Sequence, residues 1–128
     1  MSLLDVVGPV MVGPSSSHTL GVLRIARFVD KFMKGMPEKV KFVLHGSLAD
    51  TGFGHGTDKA LLAGIMGMGA DDERIRDSIE IAKNVGLRYS FEIEDLGEVH
   101  PNTVLIIAWK NGKKVEVQGS SIGGEKLK

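Results

Sequence analysis

The sequence predicts an α+β fold, a two-layer sandwich with helices on one face of a mostly antiparallel sheet. Three observations predict it. Segments with helical and strand-like apolar spacing follow each other in the order α-β-α-α-β-β-β. The last two strands are joined by Asn111-Gly112, a strong signal for a two-residue hairpin turn. At 128 residues and 42% hydrophobic, the chain can bury one compact core, so we expect a single domain over residues 1–128.

The first predicted helix follows the serines of Ser15-Ser16-Ser17-His18-Thr19, which are good N-cap residues. From Leu20 to Phe32 the apolar residues recur at helical spacing, and Gly35 and Pro37 end the helix. Lys39 to Leu44 then alternates well enough to predict a half-buried strand.

Two further helices are predicted in the middle of the chain. One begins at Thr57 or Asp58 and breaks at Gly67. The other opens with the acidic run Asp71-Asp72-Glu73, as the helix dipole favours, and stops at Gly86.

The C-terminal third predicts three strands in succession. Leu87 to Ile93 alternates between polar and apolar residues, and Thr103 to Trp109 is a continuous apolar run. Lys114 to Gln118 follows the hairpin turn and completes the predicted sheet.

Charge and composition exclude several classes of protein. Lys plus Arg number 16, and so do Asp plus Glu. The sequence therefore lacks the basic excess that is typical of nucleic-acid-binding proteins. No apolar run approaches the ~18 residues that span a bilayer, and Met1 to Asp5 lack the basic region and small-residue cleavage site of a signal peptide. We therefore expect a soluble, cytoplasmic protein. The absence of cysteine removes disulfides, thiolate nucleophiles and Cys-ligated metals from this chain acting alone.

Two polar segments are candidates for a ligand site. At Ser15–Thr19, hydroxyls and the imidazole of His18 stand at a helix start, where free backbone N–H groups can bind a carboxylate or phosphate. The alternative is a plain N-cap. In Gly52–Lys59, glycines surround His55 and let a ligand approach closely, and histidine suits proton transfer near neutral pH. The alternative is a solvated loop, and the glycine spacing matches neither a Walker nor a Rossmann motif.

The other histidines carry weaker signals. His100-Pro101-Asn102-Thr103 precedes the most apolar strand, and Asn102 offers both a donor and an acceptor, although the segment taken alone favours a plain turn. His45 ends a strand and is interpreted as a structural histidine. Ligation of a metal by His18, His55 and His100 is not predicted, because their spacing matches no standard motif.

Four segments together resemble the β chain, or β domain, of bacterial iron–sulfur L-serine dehydratases, and they occur in the same order. The segments span nearly the whole chain and are Gly13–Gly21 (GPSSSHTLG), His45–Ala60 (HGSLADTGFGHGTDKA), His100–Thr103 (HPNT) and Gly119–Gly124 (GSSIGG).

The resemblance implies an L-serine ammonia-lyase, a carbon–oxygen lyase that eliminates water from L-serine and yields pyruvate and ammonia. It also implies a partner, an α chain whose cysteines ligate a 4Fe–4S cluster, which fits the absence of cysteine here. Activity would then require both chains, without pyridoxal phosphate.

The resemblance further implies roles for individual residues. His55 is the first choice for the base that removes the α-proton of serine, and His18 would orient the carboxylate, although the reverse assignment stays open. The residues expected to bind the substrate are Ser15, Ser16, Ser17, Thr19, Thr57, Asp58 and Asn102.

The sequence also departs from the family in two places. Separate β chains often carry a small-ligand-binding ACT domain, and no part of this sequence corresponds to one. Glu125 to Lys128 replaces the glycines expected after Gly124. A domain of similar type in some D-3-phosphoglycerate dehydrogenases gives the alternative, a non-catalytic anion-binding module. The oligomeric state stays open, with homodimerisation among the expectations.

Overall fold

A computed structural model describes residues 3–12, 18–46, 56–97 and 103–121. Within these ranges, five strands form one sheet in the order β1-β5-β4-β2-β3. The strands are β1 (Leu3–Val12), β2 (Lys39–His45), β3 (Arg88–Glu94), β4 (Thr103–Lys110) and β5 (Lys113–Ser121). The helices are α1 (His18–Phe32), α2 (Thr57–Ile65) and α3 (Ser78–Asn84), with a 3₁₀ helix at Glu73–Asp77 directly before α3.

The predicted α+β class and the order α-β-α-α-β-β-β are confirmed from α1 onward. The three central strands β2, β4 and β5 pair antiparallel, as expected. The two outer strands join parallel, β1 to β5 and β3 to β2, so the sheet as a whole is mixed.

Strand β1 was not predicted. Its apolar residues are interrupted by Gly8 and Pro9, and its register with β5 shifts between Val7 and Val10. A proline cannot donate to a strand ladder and is tolerated on an edge strand, which is the position of β1. Gly8 and Pro9, which break the strand pattern in the sequence, are therefore compatible with the edge position of β1 in the sheet.

The hydrophobic core lies between the helices and one face of the sheet. Alternate residues of β2 and β4 point into it, as period-two side-chain geometry requires. The fully buried members on these strands are Val40, Phe42, Leu44, Val104, Ile106 and Ala108. Helix α2 is buried along most of its length, because α1 covers one side of it.

Helix α1 approaches two neighbours so closely that only glycine fits. A β-carbon at Gly64 of α2 would overlap the carbonyl oxygen of Leu23 and lie 2.8 Å from the Ala26 β-carbon. A β-carbon at Gly119 of β5 would lie 2.7 Å from Cγ2 of Ile25. These contacts fix the position of α1 against both α2 and the sheet.

The carboxyl end of α1 is held by a lysine from the sheet. Lys110 Nζ donates to the carbonyl oxygens of Met33 at 3.2 Å and Lys34 at 3.1 Å. A cation at this end also complements the negative pole of the helix dipole. Helix α1 is thus anchored at Gly119 in its middle and at Lys110 beyond its last turn.

We predict that Gly119→Ala destabilises the protein by about 1–3 kcal/mol, because the added methyl group overpacks the contact with Ile25. Urea unfolding of the variant measures this cost. In an Ile25→Ala background the same substitution should cost much less, since the methyl group then enters the space that isoleucine leaves. An equal cost in both backgrounds would contradict the assigned contact.

Candidate functional site

The strand registers bring five strand termini to one end of the sheet. Val12 pairs with Ser121, Thr103 with Ser120, and His45 with Glu94. Strand β4 runs antiparallel to β2, so its first residue also lies at this end. We call this the motif end of the sheet, defined by Val12, His45, Glu94, Thr103 and Ser121.

All four family-like segments are attached to the motif end. Residues 13–17 follow β1, residues 46–56 follow β2, residues 95–102 join β3 to β4, and residues 122–128 follow β5. Segments that are far apart in the sequence therefore start or finish within one region of the fold. The carboxyl ends of strands are common positions for ligand sites, because the loops beyond them can carry polar groups.

Helix α1 is oriented with its amino end toward the motif end. Ile25 packs against Gly119, two residues before the end of β5, whereas Phe32 lies near Lys113 at the other end of that strand. His18 stands about 10 Å along the helix axis from Ile25, beyond the Gly119 contact. The positive pole of the α1 dipole is thus directed toward the motif end, which favours an anion there.

Most of the predicted site residues lie outside the described part of the chain. These are Ser15, Ser16, Ser17, His55, His100 and Asn102. For His18 and Thr19 the structure describes the helical backbone and not the side chains. Their proposed roles stay predictions, while the points at which their segments join the fold are known.

Thr57 and Asp58 belong to the first turn of α2, as the sequence predicts for the helix start. Gly56 precedes them with a φ of 89°, a left-handed conformation that favours glycine. Thr57 is buried, and Asp58 Oδ1 accepts a hydrogen bond from the Lys59 amide at 2.9 Å. The Asp58 carboxylate therefore stabilises the helix start, and its predicted contact with substrate stays a prediction.

His45 is held by the neighbouring strand connection. Its Nδ1 accepts a hydrogen bond from the Leu96 amide at 3.0 Å and lies 4.0 Å from an Asp95 carboxylate oxygen. The side chain is 17% exposed. Accepting at Nδ1 fixes the neutral tautomer with its proton on Nε2. This geometry agrees with the structural role that the sequence suggested, and it ties the carboxyl end of β2 to the residues that follow β3.

A buried hydroxyl pair closes the motif end between β4 and β5. Thr103 Oγ1 and Ser120 Oγ are 2.7 Å apart, and the two residues are 0% and 7% exposed. Both belong to family-like segments, HPNT and GSSIGG. The sequence analysis did not recognise this pair, because a contact between two hydroxyls on different strands has no local pattern.

We predict that Thr103→Val destabilises the protein by about 1–3 kcal/mol, since it leaves the Ser120 hydroxyl buried without its partner. Adding Ser120→Ala should recover part of this loss, because the orphaned hydroxyl is then removed as well. Thermal unfolding of the two single variants and the double variant measures the coupling. Strictly additive losses would show that the pair contributes nothing as a pair.

Two further searches cover the described residues only. No group of three or more His, Cys, Asp or Glu side chains there is placed to hold a metal ion. No helix in these ranges has the length and apolar character needed to cross a membrane.

Comparison with known proteins agrees with the resemblance. A family model described as serine dehydratase beta chain matches residues 2–127. The L-serine dehydratase beta chain of Peptoniphilus asaccharolyticus is 49% identical over 99% of this chain and 58% of its own length. The probable L-serine dehydratase beta chain of Bacillus subtilis is 43% identical over 98% of this chain and 57% of its own length.

This chain therefore belongs to the serine dehydratase beta chain family. It spans a little under three fifths of the length of those two relatives. A part of it is also similar to longer proteins: the L-serine dehydratase of Streptomyces coelicolor is 40% identical over 59% of this chain, which is 18% of that protein. The predicted family is confirmed.

Proposed function

We propose that this chain is the substrate-handling part of an L-serine dehydratase, which converts L-serine to pyruvate and ammonia together with an α chain. One observation carries the proposal: every segment that resembles the family is attached to the motif end of a single sheet. A site for one small substrate requires such convergence, because its binding and reacting groups must lie within a few ångströms of each other.

The 4Fe–4S cluster of the proposed enzyme does not fit this chain. Thiolate sulfur is the usual ligand of such clusters, and the sequence has no cysteine. We assign the cluster to the cysteine-bearing α chain. The roles left to the present chain are to bind the substrate and to move its protons.

The carboxylate of serine is proposed to bind at the amino end of α1. Ser15, Ser16, Ser17 and Thr19 supply hydroxyl donors there, and backbone N–H groups of the first turn add further donors. The support is the orientation of α1, which directs its positive pole to the motif end. His18, the first residue of the helix, would orient the bound carboxylate.

His55 is proposed as the base that takes the α-proton. This proton is weakly acidic, so a base must lie within hydrogen-bond reach of it. His55 is two positions before the buried Thr57, and Asn102 is next to the buried Thr103. Both candidate residues are thus joined to rigid points of the fold. Thr57 and Asp58 complete the proposed contacts.

We predict that the isolated chain binds no iron and forms no pyruvate from L-serine, because it has no cysteine to hold a cluster. Anaerobic co-expression with the candidate α chain should produce both cluster absorbance and serine-dependent pyruvate. The same α chain expressed alone is the control. Activity of the purified isolated chain would refute the assignment to a two-chain enzyme.

We predict that His55→Asn lowers turnover of the assembled enzyme by roughly 10²–10⁴, the usual contribution of general acid–base catalysis. Exchange of the serine α-proton should fall in parallel, while cluster content stays unchanged. His18→Asn should act mainly through the Michaelis constant, because its proposed role is to orient the carboxylate.

The matched control is His45→Asn. In this variant the asparagine Oδ1 takes about the place of Nδ1 and can still accept the Leu96 bond, so both thermal stability and turnover should change little. Collapsed turnover for His18→Asn with normal turnover for His55→Asn would move the base to His18. Normal kinetics for both would favour a non-catalytic anion-binding module.

A further inference from the structure

The connection from β3 to β4 passes the carboxyl end of β2. In the strand order, β2 lies between the two strands that this connection joins. Strand β3 ends and β4 begins at the motif end, where β2 also ends. The segment 46–56, which carries His55, leaves β2 from the same point. The connection that carries Asn102 must therefore pass the place where this segment begins, which is next to His45.

The length of this connection does not determine its path. Nine peptide bonds separate Glu94 from Thr103, and a chain of that length can reach about 30 Å when it is extended. The two strands that it joins are only two strand spacings apart, about 10 Å. The chain can thus reach roughly three times as far as the span requires. A contact within the connection is needed to fix where it passes β2.

His45 makes such a contact at the start of the connection. Its Nδ1 accepts the Leu96 amide at 3.0 Å. The Asp95 carboxylate accepts the Gly97 amide at 2.8 Å, which forms a turn around Leu96. Asp95 also lies 4.0 Å from Nδ1, which is too far for a hydrogen bond. The contact is therefore a hydrogen bond from the backbone to His45, and not an ion pair with Asp95.

Packing contributes little to the position of residues 95–97. Of these three residues only Leu96 is half-buried, and the other two are exposed. Ile93, just before them, is 61% exposed. A cavity of about 420 Å³ lies beside them and is lined by His45, Gly46, Ile93, Glu94, Asp95 and Gly97. Within residues 95–97, the bond to His45 is the one hydrogen bond that reaches another element. This bond therefore determines where the connection starts.

We propose that His45 is a positioning residue of the reaction, an inference that rests on the proposed function. Through the Leu96 bond it holds the connection beside the start of segment 46–56, and so sets the position of Asn102 relative to His55. His45 itself does not contact the substrate. A displacement of about 1 Å in a site can cost on the order of 100-fold in rate. Because Asn102 is a proposed substrate contact, loss of the bond acts mainly on the Michaelis constant.

Three substitutions at this one position test the proposal in the assembled enzyme. His45→Asn keeps the bond, because its Oδ1 takes about the place of Nδ1. His45→Gln places its amide about where Nε2 lies, and His45→Leu has no acceptor, so both lose the bond. We expect His45→Gln and His45→Leu to raise the Michaelis constant for L-serine by about tenfold or more. His45→Asn should stay within about twofold of the natural protein, since its bond is retained.

Two measurements separate a loss of position from a loss of folded protein. A purely structural role would lower the amount of folded enzyme, and with it the apparent turnover, and would leave the Michaelis constant unchanged. In the full chain labelled with ¹⁵N, scalar coupling between the Leu96 amide nitrogen and His45 Nδ1 detects the bond directly. Exchange of the Leu96 amide should be about fivefold faster or more in His45→Gln and His45→Leu, and unchanged in His45→Asn.

The control for charge is Asp95→Asn, which removes the carboxylate near His45, keeps an acceptor for the Gly97 amide and should leave the Michaelis constant unaltered. An active enzyme whose Michaelis constant ignores all three substitutions at His45 would overturn this inference and leave the proposed function standing. The absence of the coupling between Leu96 and His45 would also overturn it. A natural complex that forms no pyruvate would instead overturn the proposed function, and this inference with it.

Discussion

The close contact between α1 and β5 determines how the rest of the molecule is arranged. Gly119 allows the helix to lie directly on the strand, with Ile25 against the backbone. Because the helix is rigid, this contact and the Lys110 contact beyond the last turn together set the direction in which its amino end points. The same helix presses against Gly64 of α2, so α2 takes its position from α1 as well. The starts of both helices, His18 and Thr57, are therefore positioned by close contacts at two glycines, Gly119 and Gly64.

Much of the fold could be predicted from local patterns. From α1 onward, the spacing of apolar residues predicts the helices and strands, and Asn111-Gly112 predicts the hairpin between β4 and β5. The strand β1 was missed, because Gly8-Pro9 breaks the alternation on which strand prediction depends. The parallel pairing of both edge strands also escaped prediction. Pairing partners are set by contacts between segments far apart in the chain, which local spacing does not encode.

For the candidate site, too, some features follow from local sequence patterns and others depend on contacts between distant segments. Its residue types were predictable, since serines, histidines and glycines stand out in the sequence. Their common attachment at one end of the sheet was not, because it depends on the registers of all five strands. The buried pair of Thr103 and Ser120 shows a second limit. A motif residue at such an end can serve the scaffold, and the fold is needed to recognise this use.

The pairing of β1 with β5 has a consequence for how the protein reaches its native state. Leu3 lies opposite Lys113, so β1 pairs with a strand that follows it by about a hundred residues in the sequence. During synthesis on the ribosome β1 emerges first and stays without that partner until β5 has emerged. Closing so long a loop costs chain entropy and raises the contact order, which slows folding. The hairpin of β4 and β5 can form locally, whereas β1 can pair only once β5 is present.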